Sequence, residues 1–293
     1  MPPSTGSFSS ALDVFTTLRD TELADARLNP DCGSRLLHHG QQTKRAIVFL
    51  HGITSSPCQF LQLGQLFYEK GYTVLIPRMP LHGFIDRRTT APQQLTHHDF
   101  KNYASKAIEL AHTFAGHVTV AGLSVSGAIS AHCAQTRVDI DLAVLLAPAF
   151  APWTLPIRAV KPVSNAVKRL PNLNLWWDPI KRENIGPACS YPRFSTQAMA
   201  EAFSLAANVY AQAQHQPPKT STILTVINRQ DMAVNNRATK VVLQAWQNHG
   251  AHVILHEFTT EVGRLHDFIG PYQPGARPEL VYPVLLDLIE RSA

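Results

Sequence analysis

The chain has 293 residues, of which 45% are hydrophobic, and its net charge is +5 when its 14 histidines are neutral. This is enough for one large core or two small ones, and no apolar run approaches the ~20 residues that span a membrane, so stable membrane insertion is not expected. The first seven residues lack the basic start and apolar stretch of a secretory signal, which predicts a cytoplasmic protein. No pattern in the sequence defines an oligomeric state.

Basic residues are concentrated in one part of the chain. Residues 151–200 contain seven lysines and arginines against two acidic residues, and the rest of the chain has nineteen of each sign. A solvated face is the simpler interpretation, and a surface that attracts anionic ligands is the alternative. No nucleic-acid-binding motif accompanies the charge, so nucleic acid is not an expected partner.

The four cysteines are far apart and form no CxxC or Cys/His motif; they are Cys32, Cys58, Cys133 and Cys189. This spacing does not favour a metal site, and free thiols are the simplest expectation, although the count alone leaves disulfides open. No metal and no cofactor are expected.

The first half of the chain alternates predicted helices and strands. Short apolar, β-branched runs predict buried strands, and longer stretches with apolar residues on one face predict helices. In chain order the predicted elements are helix 11–26, edge strand 35–39, strand 46–50, helix 58–70, strand 72–76, helix 96–114, strand 117–121, helix 124–135 and strand 142–146.

The pattern breaks after residue 148. Residues 149–193 are rich in proline, tryptophan and basic residues and show no clean strand, with short helices predicted around 160–170. The later predicted elements are helix 197–212, strand 222–227, helix 233–248, strand 252–258 and helix 278–291. The alternation predicts an α/β fold with a mostly parallel central sheet and helices on both faces.

A serine lies on a predicted sharp turn between a strand and a helix, in the sequence Gly122-Leu123-Ser124-Val125-Ser126-Gly127. Such a turn exposes the Ser124 hydroxyl at the sheet edge and directs the helix N-terminus to the same place. The six residues alone are equally consistent with a Ser/Gly-rich turn that has no chemistry. Ser126 is a second candidate nucleophile, disfavoured because it would lie inside the first helical turn.

Two residues that could activate this serine follow late strands. Asp231 comes after strand 222–227 and His266 after the last strand, so both are expected at the carboxyl edge of the sheet, where Ser124 lies. An alcohol needs a nearby base, and the base needs an orienting acid. Asp267 is disfavoured as that acid, because its side chain should diverge from the neighbouring imidazole ring.

Attack on a carbonyl places negative charge on its oxygen, which backbone amides can stabilise. The candidate donors are the amide of Val125, directly after the nucleophile, and the amide of Ile53, at the end of the neighbouring strand. Gly52 allows this loop to approach the serine turn. His51 is expected to brace the loop and is assigned no proton transfer.

With these residues, the chain resembles the α/β-hydrolase superfamily, and most of all its carboxylesterase and monoacylglycerol-lipase-like branch. The resemblance covers residues 36–291 and rests on Leu50-His51-Gly52, the serine turn, Asp231 and His266 in the family's order. It implies a serine hydrolase that cleaves carboxylic esters through an acyl-enzyme. The resemblance further implies that Ser124 is the nucleophile, His266 the base and Asp231 the acid, and that Ile53 and Val125 form the oxyanion hole.

The family also places a helical lid after the fifth main strand, which implies an N-terminal extension at 1–35, a core at 36–148 and 214–293, and a lid at 149–213. The residues expected to contact substrate are His51, Gly52, Leu123, Trp153 and Trp177. Lid aromatics are expected to cover an apolar acyl pocket or to form the lid's own core. Basic lid residues suggest an anionic substrate; they are Arg158, Lys161, Lys168 and Arg169.

Two positions depart from the family pattern. Ser126 replaces the usual second glycine of the turn, and Leu81 replaces the first glycine of a Gly-His-Gly loop in Pro80-Leu81-His82-Gly83. The expected partner is a small-molecule ester. An acyltransferase or amidase with the same triad, and a non-catalytic ligand-binding protein, are the alternatives, because this superfamily hosts many chemistries.

Overall fold

A computed structural model of the chain describes residues 8–184 and 186–293. The interpretation of the first seven residues as lacking a secretory signal lies outside the described residues. The strands are β1 (Arg35–Leu37), β2 (Thr43–Leu50), β3 (Thr73–Ile76), β4 (Ala115–Leu123), β5 (Leu142–Leu146), β6 (Asn174–Trp176), β7 (Arg193–Ser195), β8 (Thr222–Asn228) and β9 (His252–Phe258). The α-helices are α1 (Phe8–Leu23), α2 (Leu61–Glu69), α3 (His97–Phe114), α4 (Val125–Thr136), α5 (Ile157–Val167), α6 (Thr196–Ala213), α7 (Asn236–Asn248) and α8 (Pro278–Ser292).

Seven strands form the central sheet in the order β1-β3-β2-β4-β5-β8-β9. β1 runs antiparallel to β3 at one edge, and every other neighbouring pair is parallel. The register places Leu50 of β2 opposite Gly122 of β4, and Leu123 opposite Leu146 of β5. The carboxyl ends of the central strands therefore meet at one edge, and the predicted α/β fold with a mostly parallel sheet is confirmed.

Helices cover both faces of the sheet, because alternate residues of each central strand point to opposite sides. On β2, Val48 and Leu50 join a core cluster with α3, α4, α6 and α7. Ile47 and Phe49 join a second cluster with α2 and α8 on the other face. Both faces of β2 are thus buried, which explains why the strand is a continuous apolar run and not an alternating one.

The segment between β5 and β8 contains α5, a small sheet and α6. The prediction of no strand in residues 149–193 is wrong, since β6 pairs antiparallel with β7. Each of these strands has only three residues, too few for alternation to be recognised in sequence. α6 packs into the same core cluster as α4 and α7 through Leu205 and Ala206, and the domain boundaries drawn around residues 149–213 stay a prediction.

No helix within the described residues is long and apolar enough to cross a membrane. The cytoplasmic location stays a prediction.

Candidate active site

Ser124 occupies the turn between β4 and α4 with a φ of 61° and a ψ of −118°. A positive φ is strained for a residue other than glycine and is held here by tight packing. A Cβ atom at Gly122 would lie 2.1 Å from the carbonyl oxygen of Ser126, so the turn admits only glycine there. The Ser124 side chain makes no capping hydrogen bond to α4. This leaves its hydroxyl available to a neighbour across the sheet edge.

That neighbour is His266. Its Nε2 lies 2.8 Å from Ser124 Oγ, and its Nδ1 lies 2.7 Å from Asp231 Oδ2. The Asp231 side chain is 0% exposed, and its other oxygen accepts hydrogen bonds from the amides of Ala233 and Val234. The structure thus brings together the three residues predicted to act jointly, although 142 positions separate Ser124 from His266.

Asp231 also sets the charge state of His266. Burial disfavours the charged imidazole, but the hydrogen bond and negative charge of Asp231, with a smaller contribution from Asp267, outweigh it and raise the pKa of His266 above its usual value. Because Asp231 accepts the Nδ1 proton, the Nε2 lone pair of neutral His266 faces Ser124. The ring therefore presents a hydrogen-bond acceptor to the Ser124 hydroxyl.

The loop that carries His266 is fastened to the end of β8 by Asn228, which the sequence analysis missed. The fully buried amide of Asn228 donates to the carbonyl oxygens of Gly263 at 3.0 Å and Leu265 at 2.7 Å. The indication in the sequence was slight: an amide side chain ends a strand whose other residues are aliphatic or threonine. Asn228 holds the backbone on which the His266 ring depends.

A second missed connection joins this loop to the turn after β2. Gln59 accepts a hydrogen bond from the amide of Gly52 and donates one to Asp267 Oδ2, both at 2.8 Å. Asp267 also accepts from the amides of Ile269 and Gly270. Its carboxylate is thus engaged away from the His266 ring nitrogens, which are occupied by Ser124 and Asp231.

The amides of Ile53 and Val125 lie on the two turns that flank the Ser124 hydroxyl. Val125 is the first residue of α4, where amides lack intrahelical partners. Neither of the two amides donates a hydrogen bond to another described residue. Both are therefore free to bind an incoming oxygen.

His51 and His82 brace the turn after β2 from beneath. His51 Nε2 accepts from the amide of Met79 at 2.9 Å, and its Nδ1 lies 3.0 Å from the carbonyl oxygen of Gly52. Burial, with a further contribution from His82, lowers the pKa of His51 to about 3, and burial lowers that of His82 to about 4. Both rings are neutral at pH 7, which suits a bracing role and excludes His51 as a proton carrier near neutrality.

The two departures from the family pattern have different structural outcomes. Ser126 is fully buried, and its hydroxyl donates to the carbonyl oxygen of His51 at 2.5 Å, which ties the serine turn to the β2 turn. Leu81 adopts a φ of 63°, a left-handed conformation that glycine would occupy without strain. The loop keeps this shape because His82 Nε2 accepts a hydrogen bond from the amide of Thr54.

Thr54 connects the turn after β2 to the segment 149–213. Its carbonyl oxygen accepts from the amide of Tyr191 at 2.6 Å, and its hydroxyl accepts from the Trp177 indole at 2.9 Å. Its own φ is 67°. Three hydrogen bonds thus converge on one residue next to Ile53.

A cavity of about 320 Å³ opens beside Ser124 and His266. Gly52, Leu123 and Trp177 line it, as predicted from the sequence. Its other apolar walls come from Ile53, Met199, Phe203 and Val234.

Two residues that were expected to contact substrate lie outside this cavity. His51 is buried beneath the turn after β2. Trp153, 51% exposed, lines a separate cleft beside Asp231.

The basic residues of the segment also lie away from this cavity. None of the four singled out in the sequence lines it, and Lys168 pairs with Glu201 at 3.5 Å. Arg264 is the cationic side chain among the described residues of the cavity wall. A larger apolar cleft of about 720 Å³, between α1 and α3, contains none of the predicted site residues.

Comparisons with known proteins agree with this architecture. A family model described as "Alpha/beta hydrolase family" matches residues 47–283. A solved metagenome-derived lipolytic enzyme, from work on LipS and LipT, is 18% identical with a TM-score of 0.68, over 90% of this chain and 99% of that one. The monoacylglycerol lipase of Paleococcus ferrophilus is 15% identical with a TM-score of 0.64, over 89% and 98% of the two chains.

The monoglyceride lipase of Saccharomyces cerevisiae, solved with a substrate analogue, is 11% identical with a TM-score of 0.64, over 89% and 91% of the two chains. Curated protein sequences contain no match to this chain. At these identities the solved structures show the shared fold alone.

Proposed function

The chain belongs to the alpha/beta hydrolase family, and from that premise we propose that it is a serine hydrolase that cleaves carboxylic esters through an acyl-enzyme on Ser124. The observation that carries the proposal is the continuous hydrogen-bonded chain from Ser124 Oγ through His266 to buried Asp231, at 2.8 and 2.7 Å. The lipases among the solved structures of the same fold support an ester as the substrate.

Acylation begins when an ester carbonyl enters the cavity beside Ser124. His266 Nε2 takes the hydroxyl proton while Ser124 Oγ attacks the carbonyl carbon, which forms a C–O bond and moves an electron pair to the carbonyl oxygen. The amides of Ile53 and Val125 donate to that oxyanion, and each such donor lowers the barrier by about 3 kcal/mol. When the intermediate collapses, the alkoxide leaves and takes the proton from His266.

Deacylation repeats the same steps with water. His266 removes a proton from water, the hydroxide attacks the acyl carbon, and the second intermediate releases a carboxylic acid while the proton returns to Ser124 Oγ. The Asp231 carboxylate stabilises the transient imidazolium.

The cavity favours a small substrate with an apolar acyl group. Its volume of about 320 Å³ is at the small end for ligand sites, and most of its walls are aliphatic or aromatic. Trp177 and Met199 come from the segment 149–213, which supports the proposal that this segment is a lid over the acyl pocket.

The proposal is tested with p-nitrophenyl esters of graded chain length and a fluorophosphonate probe. Ser124→Ala is expected to reduce kcat by about 10⁶-fold, as loss of the nucleophile does in other serine hydrolases, and to abolish labelling. Mass spectrometry should place the probe on Ser124 in the unchanged protein. Retained turnover in Ser124→Ala would refute the assignment.

Ser126→Ala is the matched control, because Ser126 lies two residues after Ser124 and its hydroxyl donates to the carbonyl oxygen of His51 and not to His266. It is expected to keep probe labelling. A folded protein that neither turns over esters nor reacts with the probe would be a ligand-binding relative. Faster formation of transesterified or amide products than of free acid, with an added alcohol or amine, would indicate acyltransferase activity. Faster cleavage of the matching p-nitroanilides than of the p-nitrophenyl esters would indicate amidase activity.

A further inference from the structure

Three of the four cysteines converge in the structure despite their distance in sequence. Cys32 ends a short 3₁₀ turn before β1, Cys58 lies in a 3₁₀ turn between β2 and α2, and Cys189 lies between β6 and β7. Their Sγ atoms all lie within 4.8 Å of one another, and those of Cys58 and Cys189 are 3.1 Å apart. The sequence spacing gave no indication of this cluster.

The arrangement suits a thiophilic cation better than a disulfide. A tetrahedral zinc ion at about 2.3 Å from each sulfur places the sulfurs about 3.8 Å apart, within the range that these thiols span. A disulfide would use two of the thiols and leave the third unpaired. The separation of 3.1 Å between Cys58 and Cys189 is longer than the covalent S–S length of about 2.05 Å and shorter than the spacing around zinc, so binding would move these two sulfurs apart by about 0.7 Å.

The surroundings fit metal-bound thiolates. The Ser56 hydroxyl is buried, lies against the Cys32 and Cys58 thiols, and has no hydrogen-bond partner of regular geometry among the described residues. A thiolate would accept that proton and satisfy the hydroxyl. Arg35 donates to the Asp31 carbonyl oxygen and places positive charge beside the cluster. Cys58 Sγ donates to the same oxygen as a thiol, and this hydrogen bond would be lost when the deprotonated sulfur binds a cation.

We propose that Cys32, Cys58 and Cys189 form a binding site for a single thiophilic divalent cation such as Zn²⁺. Cys58 and Cys189 are only half-buried, so a water molecule can complete the coordination. Thiolate ligands select zinc and other soft cations over magnesium or calcium. The ion would join the N-terminal region, the 3₁₀ turn that contains Gln59, and the segment 149–213.

This site is independent of the proposed ester hydrolysis and is tested by metal binding alone. The reduced full-length protein is titrated with Zn²⁺ in competition with a chelator, and with Co²⁺ to detect thiolate-to-cobalt charge transfer. One ion per chain is expected. Each of Cys32→Ala, Cys58→Ala and Cys189→Ala should weaken Zn²⁺ binding by about 100-fold or more, because losing a residue that merely supports a ligand costs roughly 10–100-fold.

Cys133→Ala is the matched control, since Cys133 is a buried thiol on α4 outside the cluster. It should bind Zn²⁺ as tightly as the unchanged protein. Equal affinity in the unchanged protein and in Cys58→Ala would overturn the proposal, as would a cobalt spectrum without the thiolate band.

A measurement on the unchanged chain covers the case in which a variant fails to fold. Zn²⁺ is expected to slow alkylation of Cys58 and Cys189 in the reduced protein, read by peptide mass spectrometry. Unchanged alkylation rates would overturn the proposal, and so would a reduced protein that leaves Zn²⁺ unbound and forms a Cys58–Cys189 disulfide when the reductant is removed.

Discussion

The residues around the cavity come from two regions that are held in place in different ways. Ser124, Gly52 and Asp231 follow the ends of β4, β2 and β8, where the register of a parallel sheet fixes their separation. Trp177 and Tyr191 flank short strands of the segment 149–213, and hydrogen bonds to Thr54 connect them to the sheet edge. We infer that the sheet edge governs the chemical step and the segment governs substrate binding. The predictions below test this division, starting with the largest expected effect.

Asp231→Asn should reduce kcat for a p-nitrophenyl ester by about 10⁴-fold. The amide would disfavour the His266 tautomer whose Nε2 accepts the Ser124 proton. Steady-state kinetics gives kcat, and KM should change little. Asp267→Asn is the matched variant at the neighbouring carboxylate, and its loss of kcat should be far smaller. Equal losses in the two variants would contradict the assignment of Asp231 as the orienting acid.

Gln59→Met should reduce kcat/KM by roughly 10–100-fold, about 1.4–2.7 kcal/mol. The substitution leaves the Gly52 amide unpaired and frees Asp267, so both the Ile53 turn and the His266 loop lose a fixed contact. Gln65→Met, at an exposed position of α2, is the matched control. If Gln59→Met retained the full rate, the link between the two loops would have no part in positioning.

The acid limb of kcat/KM should lie above the ordinary histidine pKa of about 6.5. Asp231 raises the pKa of His266, and only the neutral ring accepts the Ser124 proton, so activity is present above that pKa and is lost as the pH falls through it. The rate should drop about tenfold per pH unit below the limb. A pH–rate profile that stays flat down to pH 5 would exclude His266 as the base.

Trp177→Phe should raise KM a few-fold and leave kcat within about twofold, since it removes one indole hydrogen bond worth about 1 kcal/mol and keeps an aromatic wall. Trp176→Phe is the matched control, because Trp176 packs against Arg193 and does not line the cavity. A large fall in kcat in Trp177→Phe would show that the segment also governs the chemical step.

The same two regions differ in how far sequence could predict them. The strands at 142–146 and 252–258 were predicted with the bounds observed, and the serine turn, Asp231 and His266 are near one another because parallel strands bring their ends together. Local pattern is sufficient there, since Ser124 directly follows a strand, and Asp231 and His266 lie on the loops that follow β8 and β9. The start of α3 was also foreseeable, because Thr96 and Asp99 form a capping box.

The features that sequence missed depend on contacts between distant positions. β6 and β7 are three residues each and pair across a stretch without apolar periodicity. Gln59 meets Asp267 across 208 positions, and Cys58 meets Cys189 across 131. No local propensity encodes such pairs, because the two members of each pair lie on separate elements that only the packing of the whole fold brings together.

The convergence of hydrogen bonds on Thr54 has a consequence for how this protein can diversify. Trp177 and Tyr191 hold Thr54, the residue adjacent to Ile53, and His82 accepts from its amide, so the loss of one of these contacts leaves two others to hold the turn. Side chains at the substrate entrance can then change one at a time with little effect on turnover, and only the loss of several of these hydrogen bonds together would displace the Ile53 amide.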